Sequence, residues 1–357
     1  MAKTFVANSR DLKWTCEGPS PDAVAFHQGL SGYKPSELID LPEAAKELGV
    51  GRVLAKNESD RFGLPAFKAL GASWAIHKSL QKLGDTEAVT IVTATDGNHG
   101  RAVAKFSKLF GHKAKIVIPP GVHPSAVQAI VDEGAEVSQI NGSYDDAVAK
   151  AEQLAKAPGH ILVQDTAWDG YEEVPSWIVE GYATMFSEID SQISELGIDG
   201  ADLVVVPAGV GSLLQGAIAH YRSDKELLKT KVVSVEPVNA ACIQASVEQG
   251  KPASVPTSTT VMAGLNCGTI STLAWPYVKN GLDGAIAITD EQDIVAAKDL
   301  AKMGVAAGPC GASGFAGLRS VLGGDQTNSI KRTLGLNSDS TLVILITEGS
   351  DANPVPD

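Results

Sequence analysis

Short runs of apolar, often β-branched residues recur along the chain. Between them, apolar residues return every three or four positions. The runs are RVLAKN, AVTIVTAT, AKIVIPP, AEVSQIN, HILVQDT, ADLVVVPAG, KVVSVEP, GAIAITD and STLVILITEG. Most are apolar throughout rather than alternating, the pattern of strands covered by helices on both faces. The intervening segments PSAVQAIVDEGA, DDAVAKAEQLAKA and DEQDIVAAKDLAKMG read as helices. In the last, Ile294, Ala297, Leu300 and Ala301 fall at helical spacing, and TDEQ supplies a capping box from Thr289 to Gln292. Alternating strands and helices predict an α/β protein of open parallel-type sheets with right-handed crossovers. Breaks at AKAPGH and LGIDGAD suggest a smaller α/β domain over about residues 76–189, inserted in a larger discontinuous one formed by 1–75 and 190–357.

Composition narrows the class without naming a ligand. The chain has 357 residues, 44% of them hydrophobic and 20% charged, which suits two domains or one large soluble unit. A net charge of -13 with no long basic run argues against nucleic acid. MAKTFVANSRDLKW lacks an apolar signal core, and no apolar run reaches membrane-spanning length. The expectation is a cytoplasmic protein with no membrane partner. Cys16, Cys242, Cys267 and Cys310 are scattered without a C-x-x-C pair, so no metal site is expected.

Candidate chemistry lies at the ends of the predicted strands. In RFGLPAFKALGA, Lys68 stands among apolar and small residues. Its stem could pack while its head reaches water, or its amine could be the nucleophile for a carbonyl cofactor. TATDGNHGRAVA turns from strand to helix with Asp96, Asn98 and His99 at the helix entrance. Alone, Asp96 reads first as a helix cap and His99 as a surface or packed histidine. In VVVPAGVGSLLQGA, the turn Gly209, Val210, Gly211, Ser212 feeds a helix and could bind one phosphate through backbone N–H groups. Its spacing matches neither a Walker loop nor a dinucleotide fingerprint. Thr347 and Asp165 sit at two further strand ends, as a possible donor and a possible turn aspartate. Cys310 in AGPCGASG is a core filler or a nucleophile. A lysine in an apolar setting, an Asn turn, a phosphate-type loop and a terminal hydroxyl together suit pyridoxal 5'-phosphate.

At this point the chain resembles the fold type II (tryptophan-synthase-type) pyridoxal-phosphate enzymes. RFGLPAFKALGASWAI, TATDGNHGRAVA, GSYDDAV, QDTAWDGY, VMAGLNCG and TEGSDANP are similar to the diaminopropionate ammonia-lyase family in particular. The resemblance implies that Lys68 holds the cofactor as a Schiff base and that Asn98 bonds its ring oxygen. It implies phosphate binding by Gly209, Val210, Gly211 and Ser212, and a place for Thr347 at the ring nitrogen. Asp96 and Asp165 would be catalytic carboxylates, with His99 and Tyr144 in the substrate pocket. The implied reaction is α,β-elimination of D- or L-2,3-diaminopropionate to pyruvate and ammonia, with Lys68 and Asp96 as bases on opposite faces of the cofactor. The implied assembly is a homodimer acting on a small amino acid. A serine or threonine dehydratase, a β-replacing synthase and a non-catalytic ligand-binding protein remain open alternatives.

Overall fold

The computed structural model describes residues 3–84, 88–95, 97–324 and 326–356. Its strands are β1 (Phe5–Ala7), β2 (Glu37–Asp40), β3 (Arg52–Asn57), β4 (Thr90–Ala94), β5 (Lys113–Ile118), β6 (Glu136–Gln139), β7 (His160–Leu162), β8 (Leu203–Pro207), β9 (Lys231–Pro237), β10 (Gly284–Ile288) and β11 (Thr341–Ile346). The helices are α1 (Pro21–Gly29), α2 (Pro42–Leu48), α3 (Lys68–Leu83), α4 (Asn98–Leu109), α5 (Pro124–Asp132), α6 (Tyr144–Ala155), α7 (Glu173–Gly181), α8 (Ala183–Glu195), α9 (Ser212–Tyr221), α10 (Cys242–Gln249), α11 (Trp275–Gly281), α12 (Asp290–Lys302), α13 (Pro309–Leu322) and α14 (Thr327–Leu334).

Two sheets result. The smaller runs β6-β5-β4-β7 and is parallel throughout. The larger runs β1-β10-β9-β8-β11-β3-β2, parallel in its interior and antiparallel at both edges. The nine apolar runs of the sequence all become strands. The edge strands β1 (FVA) and β2 (ELID) are not among those runs. β8, β10 and β11 are buried along their whole length. One apolar cluster joins Ile91 and Ile116 of the small sheet to Val204, Val206 and Val343 of the large one, through α3 and α7. α13 packs across β8, β10 and β11, and α12 packs on α13.

The capping box at Thr289 and Gln292 forms as expected. The buried face of α12 is displaced from the apolar stripe, however. It consists of Asp293, Ala296, Ala297 and Leu300, while Ala301 is exposed. An aspartate on the core side defeats a reading by hydrophobicity. Burial, aided by Asp290 and Glu348, pushes its carboxyl up to about 8, so it is largely neutral at pH 7.

The segment from β3 to α3 carries Lys68, and a buried charge cluster holds it. Arg61 donates to both oxygens of Glu58 and both oxygens of Glu188 at 2.7–2.8 Å. Lys56 closes the set with an ion pair to Glu188 at 2.7 Å. Two cations and two anions balance, and all four are buried. The backbone then makes a tight turn, with Arg61 and Leu64 exchanging N–H···O bonds at 2.9 and 3.0 Å. That turn puts Phe62 at φ 59°, a left-handed conformation costly for a side chain with a Cβ. The bonds of Arg61 on one side and the edge-on contact of Phe62 with Phe106 on the other hold it there.

Removing one anion from this cluster leaves a buried cation in excess. Glu188→Ala is expected to cost about 3–5 kcal/mol of stability, read as a fall in the urea midpoint of the purified protein. A midpoint within error of the parent would show that the cluster is not what secures this segment.

Candidate active site

The residues singled out at strand ends come together at the carboxyl edges of both sheets, where open α/β sheets bind ligands. β3 leads to Lys68, β4 to Asn98 and His99, β7 to Asp165, β8 to the Gly209–Ser212 turn and β11 directly to Thr347.

Lys68 opens α3 and its Nζ lies 2.7 Å from Asp165 Oδ2, with side-chain exposures of only 27% and 14%. The head of the lysine therefore meets a carboxylate rather than water. Burial alone would lower the Lys68 ammonium, but Asp165, Tyr182 and Tyr144 outweigh it and hold the amine above an ordinary lysine. Burial alone would raise Asp165, but His99 and Lys68 outweigh it and keep the carboxyl well below the usual range. The pair is ionised at neutral pH.

Three further groups set the geometry of Asp165. His99 donates from Nε2 to the Val163 carbonyl at 2.9 Å, which turns Nδ1 toward Asp165 Oδ2 at 3.9 Å. Gln164 is fully buried, and its Oε1 accepts from Ala94 N at 2.8 Å and Thr93 Oγ1 at 2.9 Å. Its Nε2 then reaches the Tyr144 hydroxyl at 3.1 Å and Asp165 Oδ1 at 3.3 Å. Tyr144 is the first residue of α6, behind a capping box made by Ser143 and Asp146.

The end of β11 ties the site together. Phe67 donates its N–H to the Thr347 carbonyl at 3.1 Å, and Gly349 donates to the Pro65 carbonyl at 3.0 Å. Thr347 is buried, and its Oγ1 has no hydrogen-bond partner among the described residues. Next to it, Glu348 Oε2 accepts from Asn98 Nδ2 at 2.8 Å, and Oε1 accepts from Cys310 N at 3.2 Å. Burial pushes the Glu348 carboxyl up, and hydrogen bonds from Cys310, Asn98 and Asn353 pull it part of the way back.

The glycine turn is shaped for close approach. Gly211 has φ 100°, and a Cβ there would lie 3.0 Å from Ala274 Cβ. A Cβ on Gly209 would lie 2.9 Å from Cys267 Sγ and 3.2 Å from the Gly264 carbonyl oxygen. Packing against Ala274, Cys267 and Gly264 thus excludes side chains from the turn just ahead of α9, whose first N–H groups lack helical partners.

Asp96, expected as a catalytic carboxylate, lies outside the described residues. Gln164 and Glu348 escaped the sequence reading. Each directly follows or precedes a residue that was read, and only their contacts, not their spacing, reveal them. Cys310 is buried on α13, where burial and then Glu348 push its thiol well above the ordinary value, so it is unsuited to act as a thiolate nucleophile. Among the described residues, no group of three or more His, Cys, Asp or Glu is placed to hold a metal ion. No helix among them is long and apolar enough to cross a membrane.

Residues 30–345 match the family model of the pyridoxal-phosphate dependent enzymes. The diaminopropionate ammonia-lyase of Escherichia coli strain K12 is 36% identical over 351 residues, covering 92% of this chain and 87% of that protein. This chain belongs to the pyridoxal-phosphate dependent enzymes, in the diaminopropionate ammonia-lyase family. The family member of Salmonella typhimurium strain LT2 is 32% identical, covering 93% of this chain and 89% of that one. A crystal structure of the Escherichia coli ammonia-lyase with an aminoacrylate-PLP azomethine reaction intermediate superposes with a TM-score of 0.88 at 34% identity, covering 97% of this chain and 94% of that one. The same enzyme in complex with D-serine gives 0.89 at 32% identity, with the same coverage. Maize serine racemase, at 22% identity and a TM-score of 0.77, shares the fold.

The residues present fit the cofactor of this family. A phosphate is held by N–H groups at a helix start, and the Gly209–Ser212 turn leads into the first turn of α9. A ring nitrogen needs a polar partner, and the buried Thr347 hydroxyl lacks one. A carbonyl needs an amine, and Lys68 Nζ, at the start of α3, provides one.

Gly211→Ala is expected to weaken cofactor binding on the order of tenfold, because a left-handed φ costs a residue with a Cβ about 1–2 kcal/mol and the added methyl presses on Ala274. Titrating apo-protein with pyridoxal phosphate and following visible absorbance reads this out. Unchanged affinity would remove the turn from the cofactor site.

Proposed function

We propose that this chain eliminates ammonia from 2,3-diaminopropionate, giving pyruvate and a second ammonia after hydrolysis. The observation that carries the reading is the ionised Lys68–Asp165 pair at the joint edge of the two sheets. In this reading Lys68 Nζ carries the cofactor covalently, the Gly209, Val210, Gly211 and Ser212 N–H groups hold its phosphate, Asn98 donates to its ring oxygen and Thr347 meets its ring nitrogen. When bound, pyridoxal phosphate delocalises the electron pair left on breaking the substrate Cα–H bond.

The chain's own residues then decide which bond breaks next. A 3-amino group leaves as neutral ammonia only if it departs already protonated; otherwise it would have to leave as an amide anion. Asp165 stays ionised in the cleft, so it attracts a second ammonium and holds it in the charged form. His99 and Gln164 keep that carboxylate aimed. The Lys68 amine, once released to act as a base, takes the Cα proton of the L-substrate. The pair of the Cα–H bond becomes the Cα=Cβ bond, and the C–N pair leaves with ammonia. A β-hydroxyl substrate gains nothing from Asp165 as a counter-charge. Asp96 remains proposed, on the sequence, as the base for the D-enantiomer.

The same reading takes residues 76–189 as the smaller domain inserted between 1–75 and 190–357, and the enzyme as a cytoplasmic homodimer. Light scattering should give twice the chain mass.

Pyruvate release measured over D- and L-diaminopropionate, serine and threonine is expected to favour diaminopropionate. Asp165→Asn should lower kcat/KM for diaminopropionate on the order of a hundredfold and that for serine much less. Equal losses on both substrates would refute recognition of the second ammonium. Borohydride reduction followed by peptide mapping should label Lys68 in the parent and nothing in Lys68→Ala. Asp96→Asn should depress turnover of the D-form more than that of the L-form, whereas small equal losses would return Asp96 to a capping role.

A further inference from the structure

We propose that Glu348 is a positioning residue for the cofactor: it fixes the Asn98 carboxamide so that Asn98 offers an N–H, not its carbonyl, to the cofactor's ring oxygen. The inference rests on the reading that Asn98 meets that oxygen. A primary amide has a donor end and an acceptor end of nearly the same shape, and a half-turn about Cβ–Cγ exchanges them. Neighbours decide which end faces the ligand. Here the neighbour is Glu348 Oε2, 2.8 Å from Asn98 Nδ2. The carboxyl oxygen takes one of the two Nδ2 hydrogens, which fixes the amide plane and leaves the other hydrogen to present.

Glu348 can act as a fixed reference because it is itself clamped. Its Oε1 accepts from Cys310 N in the first turn of α13, a position where a helix favours an acidic group. Its carbonyl accepts from Gly308 N at 3.1 Å. A Cβ on Gly311 would stand 2.5 Å from that carbonyl oxygen, and a Cβ on Gly308 would stand 3.2 Å from Glu348 Cγ. Both positions are glycine, so α13 closes directly onto this residue. Glu348 also forms a bridge with Ala66, two residues before Lys68. The contact to Asn98 spans 250 residues of sequence and joins the large sheet to the small one. A group with these attachments sets the donor facing the ring oxygen in fixed register with the lysine that would carry the cofactor.

The test is a double-mutant cycle of Glu348→Gln, Asn98→Ala and the pair, run on full-length protein. Cofactor affinity is measured by reconstituting apo-protein with pyridoxal phosphate, and the visible band of the loaded protein is titrated with pH. Melting of each apo-protein reports folding. Glu348→Gln keeps size but can place an amide N–H against Asn98, turning its carboxamide round. The expected result is a loss of affinity on the order of tenfold and a displaced titration of the band. Asn98→Ala should do the same, and the pair should be no worse than Asn98→Ala alone. If Glu348→Gln does not fold, Glu348→Asp replaces it, since the shorter acid withdraws from Nδ2 while keeping its charge. A Glu348 variant that loads and titrates like the parent, while Asn98→Ala does not, overturns the positioning role and leaves the Asn98 contact standing. Additive losses overturn it as well, because Glu348 would then act without Asn98. If Asn98→Ala itself loads and titrates normally, the Asn98 contact fails and the inference fails with it.

Discussion

The site depends on where β11 ends. This strand is last in sequence but central in the larger sheet, paired in parallel with β3 on one side and β8 on the other, and buried along its whole length. Beyond Ile346 the chain cannot stop hydrogen bonding, because buried backbone groups must be satisfied. It does so by accepting from Phe67 N at Thr347 and donating from Gly349 N to Pro65. Those bonds place the segment before Lys68 against the strand end. Glu348, between them, reaches Asn98 at the start of α4. Two backbone bonds and one side-chain bond thus tie the segment before Lys68, Thr347 and the Asn98 carboxamide to the end of one strand.

Two sets of buried charges flank that segment, and they differ in kind. Around Arg61 the charges balance and the hydrogen bonds are all internal to the protein. Such a cluster is costly to break and has nothing to offer a ligand. The Lys68–Asp165 pair is simpler and remains partly exposed at the cleft. When its lysine is engaged elsewhere, Asp165 is left needing a cation. On the proposed reading, that requirement suits a substrate carrying a second ammonium. The strained turn at Phe62 and Gly63 lies between the two sets, so the fully buried one fixes the backbone from which Lys68 projects.

The assignment to the diaminopropionate ammonia-lyase family and the geometry are separate observations. The family supplies the cofactor. The structure supplies an amine, a glycine turn at a helix start and a buried hydroxyl with no partner among the described residues, the kinds of group that cofactor requires. Gln164 adds a constraint particular to this arrangement. Its carbonyl is committed to the end of β4, so its amide hydrogens must face Tyr144 and Asp165. The small sheet thereby determines the orientation of the carboxylate beyond β7.

The sequence by itself pointed to the interior strands, because burial on both faces favours a short apolar run bounded by turn residues. It also determined which residues stand at strand ends, since Lys68, Asn98, Asp165, the Gly209–Ser212 turn and Thr347 each follow such a run. It did not reveal β1 and β2, whose half-exposed faces carry no such run, nor the core face of α12, where Asp293 replaces an apolar residue. Strand order was decided only by tertiary structure: nothing in STLVILITEG says that it inserts between β3 and β8. Glu348 and Gln164 belong to the same class. Their side chains are defined by partners such as Asn98 and Thr93, far away in sequence: the first contact exists only once the two sheets meet, the second once β7 pairs with β4.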